Sequence, residues 1–256
     1  MGKTFPTKQG LVNKADTMQP IFLKAKWRNL IMANYTVEPA ALLPYLPAFT
    51  ELDEWQGRCY VSLVGFMFLE TRVKGLAIPF HQNFEEVNLR FYVRHRAGGE
   101  WKRGVVFIKE LVPKPMISLV ANAFYGEKYR SLPMRNELKT LADGSLSVGY
   151  YWKLGGKWDQ ITVATLGQPA DLVAGSEEEF ITQHYWGYTK VGSKTSEYQV
   201  EHPAWKVYQI GSYNINVSGE KLYGKELGAV LQAQPTSVFM AEGSEVLVRG
   251  GKVLKN

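Results

Sequence analysis

The residues with the clearest chemical pattern lie in one segment, 85–94, which reads EEVNLRFYVR. Side chains of a β-strand alternate between two faces, so one face here is apolar apart from its first residue. The other face carries only hydrogen-bonding side chains: Glu86, Asn88, Arg90, Tyr92 and Arg94. Such a row is typical either of a polar cavity that binds a small molecule or of a solvated sheet face. Because about 13 Å separates Cα atoms four residues apart on a strand, Glu86 and Arg90 are not a simple neighbouring pair.

Acid–base chemistry is what Glu86 could perform in such a cavity, and His81 is a second candidate for it. His81 precedes the strand by a short turn and could act as general acid or base beside Glu86. The alternative is a loop histidine whose hydrogen bonds are satisfied by its neighbours. His184, by contrast, follows a short predicted helix and is expected to point inward, where a partial positive charge at the helix end is favourable.

Metal and cofactor signatures are absent from the sequence. The four histidines have no metal-ligand spacing, and a single cysteine excludes every Cys-rich metal site. That cysteine, Cys59, lies in an apolar run and is predicted to be a core residue. No G-x-S-x-G, P-loop or G-x-G-x-x-G motif occurs. We therefore predict no metal and no cofactor.

The composition is typical of a globular protein, since 45% of the 256 residues are hydrophobic and 21% are charged. The net charge of +6 comes from scattered basic residues, which argues against nucleic acid as a partner and favours a small, anionic ligand. No apolar stretch reaches the ~18–20 residues of a membrane span. The first residues lack the apolar core of a signal peptide, so we expect a cytoplasmic protein, either a monomer or a homodimer.

Short alternating segments rich in Tyr, Trp, Val and Ile, interrupted by Gly or Pro, predict a chain dominated by β-strands. Hairpin turns are predicted at Gly98-Gly99, Asp143-Gly144, Gly155-Gly156 and Glu242–Ser244. Helices are predicted to begin at Pro39, Pro115 and Ser176, with a fourth within residues 221–233. Many strands and few helices indicate one mainly-β or α+β domain over residues 21–256, preceded by an N-terminal arm over residues 1–20.

Longer segments resemble the bacterial YqjF-like family, a domain of unknown function with the number 2071. The resemblance is carried by WRNLIMANY at 27–35, FHQNFEEVNLRFYV at 80–93, and residues 43–47, 57–66, 124–134 and 241–244. This family is related in structure to acetoacetate decarboxylase. The resemblance therefore implies an acetoacetate decarboxylase-like fold, a strongly bent antiparallel β-barrel with a central cavity and a few flanking short helices.

The same resemblance suggests which residues form the site. The decarboxylase glutamate lies in an aromatic-x-Glu motif at a strand start, and Phe84-Glu85-Glu86 resembles that motif, which implies Glu86. The decarboxylase forms a Schiff base through a lysine that follows a helix, and the comparable residue here is Lys128. The proline and second lysine of that motif are missing. Glu127 adjoins Lys128 instead, and a nearby carboxylate opposes the lowered lysine pKa that a nucleophile needs.

The alternation of residues 85–94 and the family resemblance also suggest which residues bind a ligand. Arg28, in the first strand, is the best candidate to hold a substrate carboxylate, followed by Arg90; either could instead be a structural ion-pair partner. Asn88 belongs to the same polar wall. Small-molecule sites are usually lined by aromatic residues, and those predicted here are Tyr60, Phe66, Tyr92, Tyr125 and Tyr129.

Two functions remain open. The first is a cavity that binds a small carboxylate or carbonyl compound, with keto-acid chemistry of the decarboxylase or aldol-lyase type. The second is a non-catalytic barrel that senses a ligand or binds a partner. The surroundings of Lys128 separate the two: burial beside a cation favours the enzyme, and exposure favours the binding module.

Overall fold

The computed structural model describes residues 19–118 and 128–254. Most of the predicted N-terminal arm, residues 1–18, lies outside this range. The described residues form one sheet of fourteen strands. Their bounds are β1 Ile21–Val37, β2 Glu51–Leu52, β3 Cys59–Val73, β4 Phe84–Ala97, β5 Glu100–Val112, β6 Tyr129–Ser131, β7 Met134–Thr140, β8 Leu146–Leu154, β9 Lys157–Ala170, β10 Trp186–Val191, β11 Lys194–Glu201, β12 Val207–Asn216, β13 Ser237–Arg249 and β14 Lys252–Val253.

Short helices lie between the strands. They are α1 Pro39–Leu42, which continues into a 3₁₀ turn at Leu43–Tyr45, α2 Glu177–Thr182, α3 Gly219–Tyr223 and α4 Lys225–Val230, and residues 115–118 are also helical. The start of α2 is confirmed, since the Ser176 side chain accepts a hydrogen bond from the Glu179 backbone N–H. The short helix predicted within 221–233 is confirmed as α4, and Gly224, at φ 85°, separates it from α3. None of the helices in the described ranges is long and apolar enough to cross a membrane.

The sheet bends back on itself. The strand order is β14-β11-β10-β5-β4-β3-β1-β13-β12-β9-β8-β7. A further pairing, in which Val200 lies opposite Val248, joins β11 to β13. Seven strands, from β11 through β5 and β1 to β13, therefore form a closed circuit of pairings. The pairs β10–β5 and β5–β6 are parallel, whereas the pairs from β5 through β13 are antiparallel. The expected mainly-β fold with a bent sheet is confirmed.

Strands β1, β3 and β4 are buried on both faces, so the protein has two cores. On the outer side of the circuit, Leu63 and Leu89 pack in one cluster with Tyr150 and Trp152 of β8, and all four are fully buried. Burial of one such side chain stabilises the fold by about 1.5–3 kcal/mol. On the inner side, a second cluster of aromatic and aliphatic residues surrounds a cavity.

One predicted turn is wrong, although those at residues 98–99, 143–144 and 155–156 do connect adjacent strands. Glu242–Ser244 lies inside the continuous strand β13. Gly243 has φ 83°, and a Cβ at this position would lie 2.1 Å from the backbone oxygen of Trp27. Glycine is required because β1 approaches β13 closely, not because the chain reverses direction.

Candidate functional site

The circuit of strands encloses a cavity of about 270 Å³. This volume is at the small end of the range for ligand pockets. The walls are mostly apolar and include Trp27, Leu30, Val64, Phe66, Phe68, Phe107, Tyr198 and Val200. Ile78 and Met116 also line the cavity but are 43% and 55% exposed, so this end of it lies nearest to solvent.

The polar row of β4 faces this cavity. Glu86, Asn88 and Arg90 line it, and each is at most 9% exposed. From Glu86 to Arg90 the row is therefore a buried cavity wall and not a solvated sheet face, whereas Arg94 is partly exposed. Tyr92, the next residue of the row, is also buried, and its hydroxyl lies 2.5 Å from the Ser62 hydroxyl of β3.

Two carboxylates and a tyrosine meet at one end of the row. The Tyr129 hydroxyl donates to Oε2 of Glu86 at 3.0 Å, and the Asn88 amide donates to Oε1 at 2.9 Å. Glu110 lies opposite Asn88 on one side and Tyr129 on the other. Burial, and then the charges of Glu110 and Glu86, raise the pKa of Tyr129 well above its ordinary value. The hydroxyl therefore stays protonated and acts as a hydrogen-bond donor.

A β-bulge brings Glu110 to the cavity. The register between β4 and β5 shifts by one residue between Leu89 and Arg90, so β5 carries an extra residue there. Phe107 and Glu110, three residues apart, consequently both line the cavity. Simple alternation would place them on opposite faces, which is why the sequence pattern did not identify Glu110.

Arg90 places a positive charge at the other end of the row. Its Nη2 donates to the backbone oxygen of Ile181 at 3.3 Å and lies 3.9 Å from the sulfur of Met32. Its guanidinium carbon is 5.7 Å from the ring centroid of Tyr92. Within the described ranges no carboxylate pairs with this guanidinium, and its Nε has no hydrogen-bond partner. A buried guanidinium in this state favours the binding of an anion.

His184 and Asp53 form a second polar pair, and His184 lines the cavity. His184 Nε2 lies 3.1 Å from Oδ2 of Asp53, and Nε of Arg103 donates to the same oxygen at 2.6 Å. Burial lowers the pKa of His184 to about 4, opposed by the hydrogen bond to Asp53 and reinforced by Arg103 and Arg90. Burial would raise the pKa of Asp53, but hydrogen bonds from His184 and Arg103 lower it. The inward position predicted for His184 is confirmed, and with this lowered pKa its ring is neutral at pH 7.

Acid is expected to destabilise the protein through His184. In the unfolded chain this histidine binds a proton near its ordinary pKa of 6.5, whereas in the folded protein it does so only near pH 4. Its contribution to stability is therefore complete above pH 6.5 and is lost as the pH falls towards 4. Between pH 7 and pH 5 this group should lower the free energy of unfolding by about 2 kcal/mol, as measured by guanidinium titration.

His184→Gln is the control for this pH dependence. Glutamine can still donate a hydrogen bond to Asp53, but it does not titrate. The fall in stability between pH 7 and pH 5 should therefore be smaller in the variant than in the wild type. Equal falls in both proteins would contradict the assignment of this titration to His184.

Arg28, the favoured carboxylate anchor, lies outside the cavity. Its Nη1 donates to the backbone oxygen of Gly243 at 3.0 Å and is 4.0 Å from Oε1 of Glu242. Trp27 lines the cavity in its place, because adjacent residues of β1 face opposite sides. Of the two predicted arginines, Arg90 is the one that the fold brings to the polar row.

Lys128 is also outside the cavity. It is exposed, and its ammonium nitrogen lies 5.1 Å from the ring centroid of Tyr45. The next residue, Tyr129, begins β6 and lines the cavity. The hydroxyl of a tyrosine therefore lies beside Glu86, where a Schiff-base mechanism would require an amine.

The remaining predicted residues divide into three groups. Phe66 and His81 line the cavity together with Tyr129. Tyr60 is buried beside the cavity without lining it, and its hydroxyl donates to a carboxylate of α2 at 3.3 Å. Tyr125 lies outside the described residues.

A family model of uncharacterised conserved proteins, DUF2071, matches residues 24–245. The chain belongs to the DUF2071 family. The uncharacterised protein YqjF of Bacillus subtilis (strain 168) is similar to this DUF2071 protein, with 24% identity over 187 residues. That match covers 72% of this chain and 74% of YqjF.

Solved structures show which fold this DUF2071 protein shares. The acetoacetate decarboxylase of Legionella pneumophila matches with a TM-score of 0.63 and 14% identity, over 93% of this chain and 90% of that chain. The enduracididine biosynthesis enzyme MppR, complexed with pyruvate, matches with a TM-score of 0.63 and 12% identity, over 98% and 99%. At these identities the likeness concerns the fold, and it confirms the acetoacetate decarboxylase-like fold that the sequence resemblance implied.

Proposed function

We propose that this DUF2071 protein binds a small keto acid in its cavity, with the carboxylate of the ligand at Arg90. The observation that carries the proposal is the buried Arg90 guanidinium, which has no acidic partner among the described residues. Burial of an unpaired charge is costly, and a ligand carboxylate that accepts charge-assisted hydrogen bonds would offset that cost. The net charge of +6 also favours an anionic ligand.

The carbonyl group of the ligand would lie beside Glu86. Glu86 and Arg90 are four residues apart on β4, so about 13 Å separates their Cα atoms. Both side chains face the cavity, which leaves space between them for a short carbon chain. The apolar walls favour the methylene groups of such a chain.

Proton transfer at Glu86 is the chemistry that this arrangement supports. Tyr129 and Asn88 each donate to one oxygen of the Glu86 carboxylate and so hold its orientation. Glu86 would take a proton from the carbon next to the ligand carbonyl, while the electron pair of that C–H bond moves to the carbonyl oxygen. Return of the proton reverses the step. The pyruvate complex of MppR supports a small carboxylate as the ligand class, because the two proteins share a fold.

A ligand-binding protein without catalysis is the second candidate. The position of Lys128 favours it, because Schiff-base chemistry needs an amine in the cavity. Among the described residues that line the cavity there is no lysine. A decarboxylase mechanism that depends on a lysine is therefore not part of the proposal.

Binding of 4-oxopentanoate tests the proposed function. Its matched control is 2-pentanone, which has the same chain with a methyl group in place of the carboxylate. Calorimetric titration should give an affinity at least about 100-fold higher for the acid, since a buried charge pair depends on the carboxylate. Equal affinities for the two compounds, or no binding of the acid, would contradict the proposal.

Two readouts on the same mixture distinguish the enzyme from the binding module. In D₂O, the proton signals of carbons 3 and 5 of 4-oxopentanoate should disappear with the wild type and persist with Glu86→Gln. Signals that persist with both proteins would favour the binding module. Borohydride should leave the mass of the intact protein unchanged; an adduct that Lys128→Ala abolishes would instead establish the lysine mechanism.

A further inference from the structure

Buried polar atoms without a hydrogen-bond partner are concentrated on the cavity wall. Those of lining residues in the described ranges include Trp27 Nε1, Thr71 Oγ1, Asn88 Oδ1, Arg90 Nε and His184 Nδ1. Folded proteins leave few buried polar atoms unpaired, and each one requires a physical explanation. Because these atoms belong to residues that line one cavity, we take them to indicate an occupant that has polar groups besides its carboxylate.

The proton position on His184 follows from its partner. The Asp53 carboxylate is already held by Arg103 and can only accept hydrogen bonds, so Nε2 of His184 carries the proton that it donates to Asp53. With a pKa lowered by burial to about 4, the ring is neutral at pH 7, and Nδ1 therefore has a lone pair. The side chain is only 1% exposed. The wall of the cavity thus contains a buried acceptor that lacks a donor.

This acceptor lies close to the cationic end of the polar row. The Arg90 guanidinium donates to the backbone oxygen of Ile181, three residues before His184. Both groups also contact the same ring, since the His184 ring centroid is 4.7 Å and the guanidinium carbon 5.7 Å from the centroid of Tyr92. A ligand carboxylate at Arg90 therefore has its neighbouring carbon atoms near Nδ1 of His184.

We propose that the ligand is a 2-hydroxy acid, whose hydroxyl group donates a hydrogen bond to Nδ1 of His184. Asp53 is a positioning residue, because it keeps the proton on Nε2 and leaves Nδ1 as the acceptor. The inference rests on the proposed function, in that Arg90 binds the carboxylate. The carbonyl group at Glu86 then lies further along the same carbon chain.

The acceptor Nδ1 of His184 also determines which ligands the site binds less well. A carbonyl oxygen next to the carboxylate has only lone pairs and would face the lone pair of Nδ1. A 2-oxo acid therefore leaves both atoms without a hydrogen bond in a buried site, which is unfavourable. The cavity should accordingly distinguish a hydroxyl group from a carbonyl group at this carbon.

Calorimetric titration with pentanoate, 2-hydroxypentanoate and 2-oxopentanoate tests this inference. The wild type should bind the hydroxy acid about tenfold more tightly than either other acid, the value of one buried hydrogen bond. His184→Phe should bind all three acids with similar affinity. A second variant, Asp53→Asn, covers the case in which His184→Phe does not fold, and should also reduce the preference.

Imidazole ¹⁵N spectra of His184 provide a readout that a purely structural role would not change. In the wild type, Nε2 should carry the proton, and 2-hydroxypentanoate but not pentanoate should shift the Nδ1 resonance. The wild type could bind pentanoate through Arg90 and show no preference for 2-hydroxypentanoate. That result would overturn this inference and leave the proposed function intact. If the wild type binds none of these acids through Arg90, both this inference and the proposed function are overturned.

Discussion

Arg90→Met is expected to lose at least about 100-fold in affinity for 4-oxopentanoate while becoming more stable than the wild type. The affinity falls because methionine offers neither charge nor N–H groups to a carboxylate. Stability rises because, among the described residues, the guanidinium has only the Ile181 backbone oxygen and the Met32 sulfur as hydrogen-bond acceptors, which do not offset its desolvation. An unbranched methionine can fill the space and should raise the free energy of unfolding by about 1 kcal/mol.

Calorimetric titration and guanidinium unfolding measure these two effects, and Arg28→Met is the matched control. Arg28 is the arginine that the sequence favoured as an anchor, but its guanidinium lies outside the cavity beside Glu242. This control should keep the affinity of the wild type and change stability by less than about 0.5 kcal/mol. Loss of stability in Arg90→Met with unchanged binding would mean that Arg90 supports the fold and not a ligand.

A single added methyl group in Gly243→Ala is expected to lower the free energy of unfolding by at least about 3 kcal/mol. The new Cβ would lie 2.1 Å from the backbone oxygen of Trp27, and neither strand can move there without weakening the β1–β13 pairing. The φ of 83° adds roughly 1–2 kcal/mol for any residue with a Cβ. Because Trp27 and Leu30 line the cavity, the affinity for 4-oxopentanoate should fall as well.

Gly98→Ala separates these two contributions. Gly98 has φ 59°, also in the left-handed region, but no atom lies within 4 Å of a Cβ built on it. Its replacement should therefore show only the conformational cost of roughly 1–2 kcal/mol. Urea or guanidinium titration of both variants gives the comparison. Similar losses at the two positions would rule out close approach of β1 as the reason for glycine at 243.

The sequence predicted strands well where apolar residues alternate and poorly where they do not. β4 was identified with both of its faces, since the pattern of residues 85–94 is regular. β7, with the sequence MRNELKT, was missed because its residues are exposed apart from the first, so no apolar face marks it. The turn predicted around Gly243 failed for a different reason: glycine indicates either a reversal or a close approach, and only the neighbouring strand decides which.

The candidate site was predictable as far as it lies on one strand. Glu86, Asn88 and Arg90 follow from the alternation of β4. Glu110 does not, because a bulge in β5 turns it to the cavity face, where simple alternation would not place it. Asp53 and His184 are 131 residues apart, and no local pattern connects them. Long-range pairs of this kind become visible only when the topology is known.

A motif matched at low identity did not predict which of two adjacent residues, Lys128 or Tyr129, faces the cavity. The resemblance suggested Lys128, which lies just before β6. Adjacent residues of a strand face opposite sides, so a shift of one residue exchanges cavity and surface. Lys128 is therefore outside the cavity, and Tyr129, the next residue, lines it. The cavity consequently contains a hydroxyl group where the resemblance implied an amine.

The pairing of β1 with β13 also determines when the cavity can exist. Ile21 lies opposite Arg249 and Asn34 opposite Ser237, so one edge of β1 remains unpaired until β13 has left the ribosome. Contacts so distant in sequence form slowly, and an open strand edge can recruit other chains in the meantime. The first of the described strands is thus among the last to be fully paired, and the cavity can hold a ligand only after β13 has joined β1.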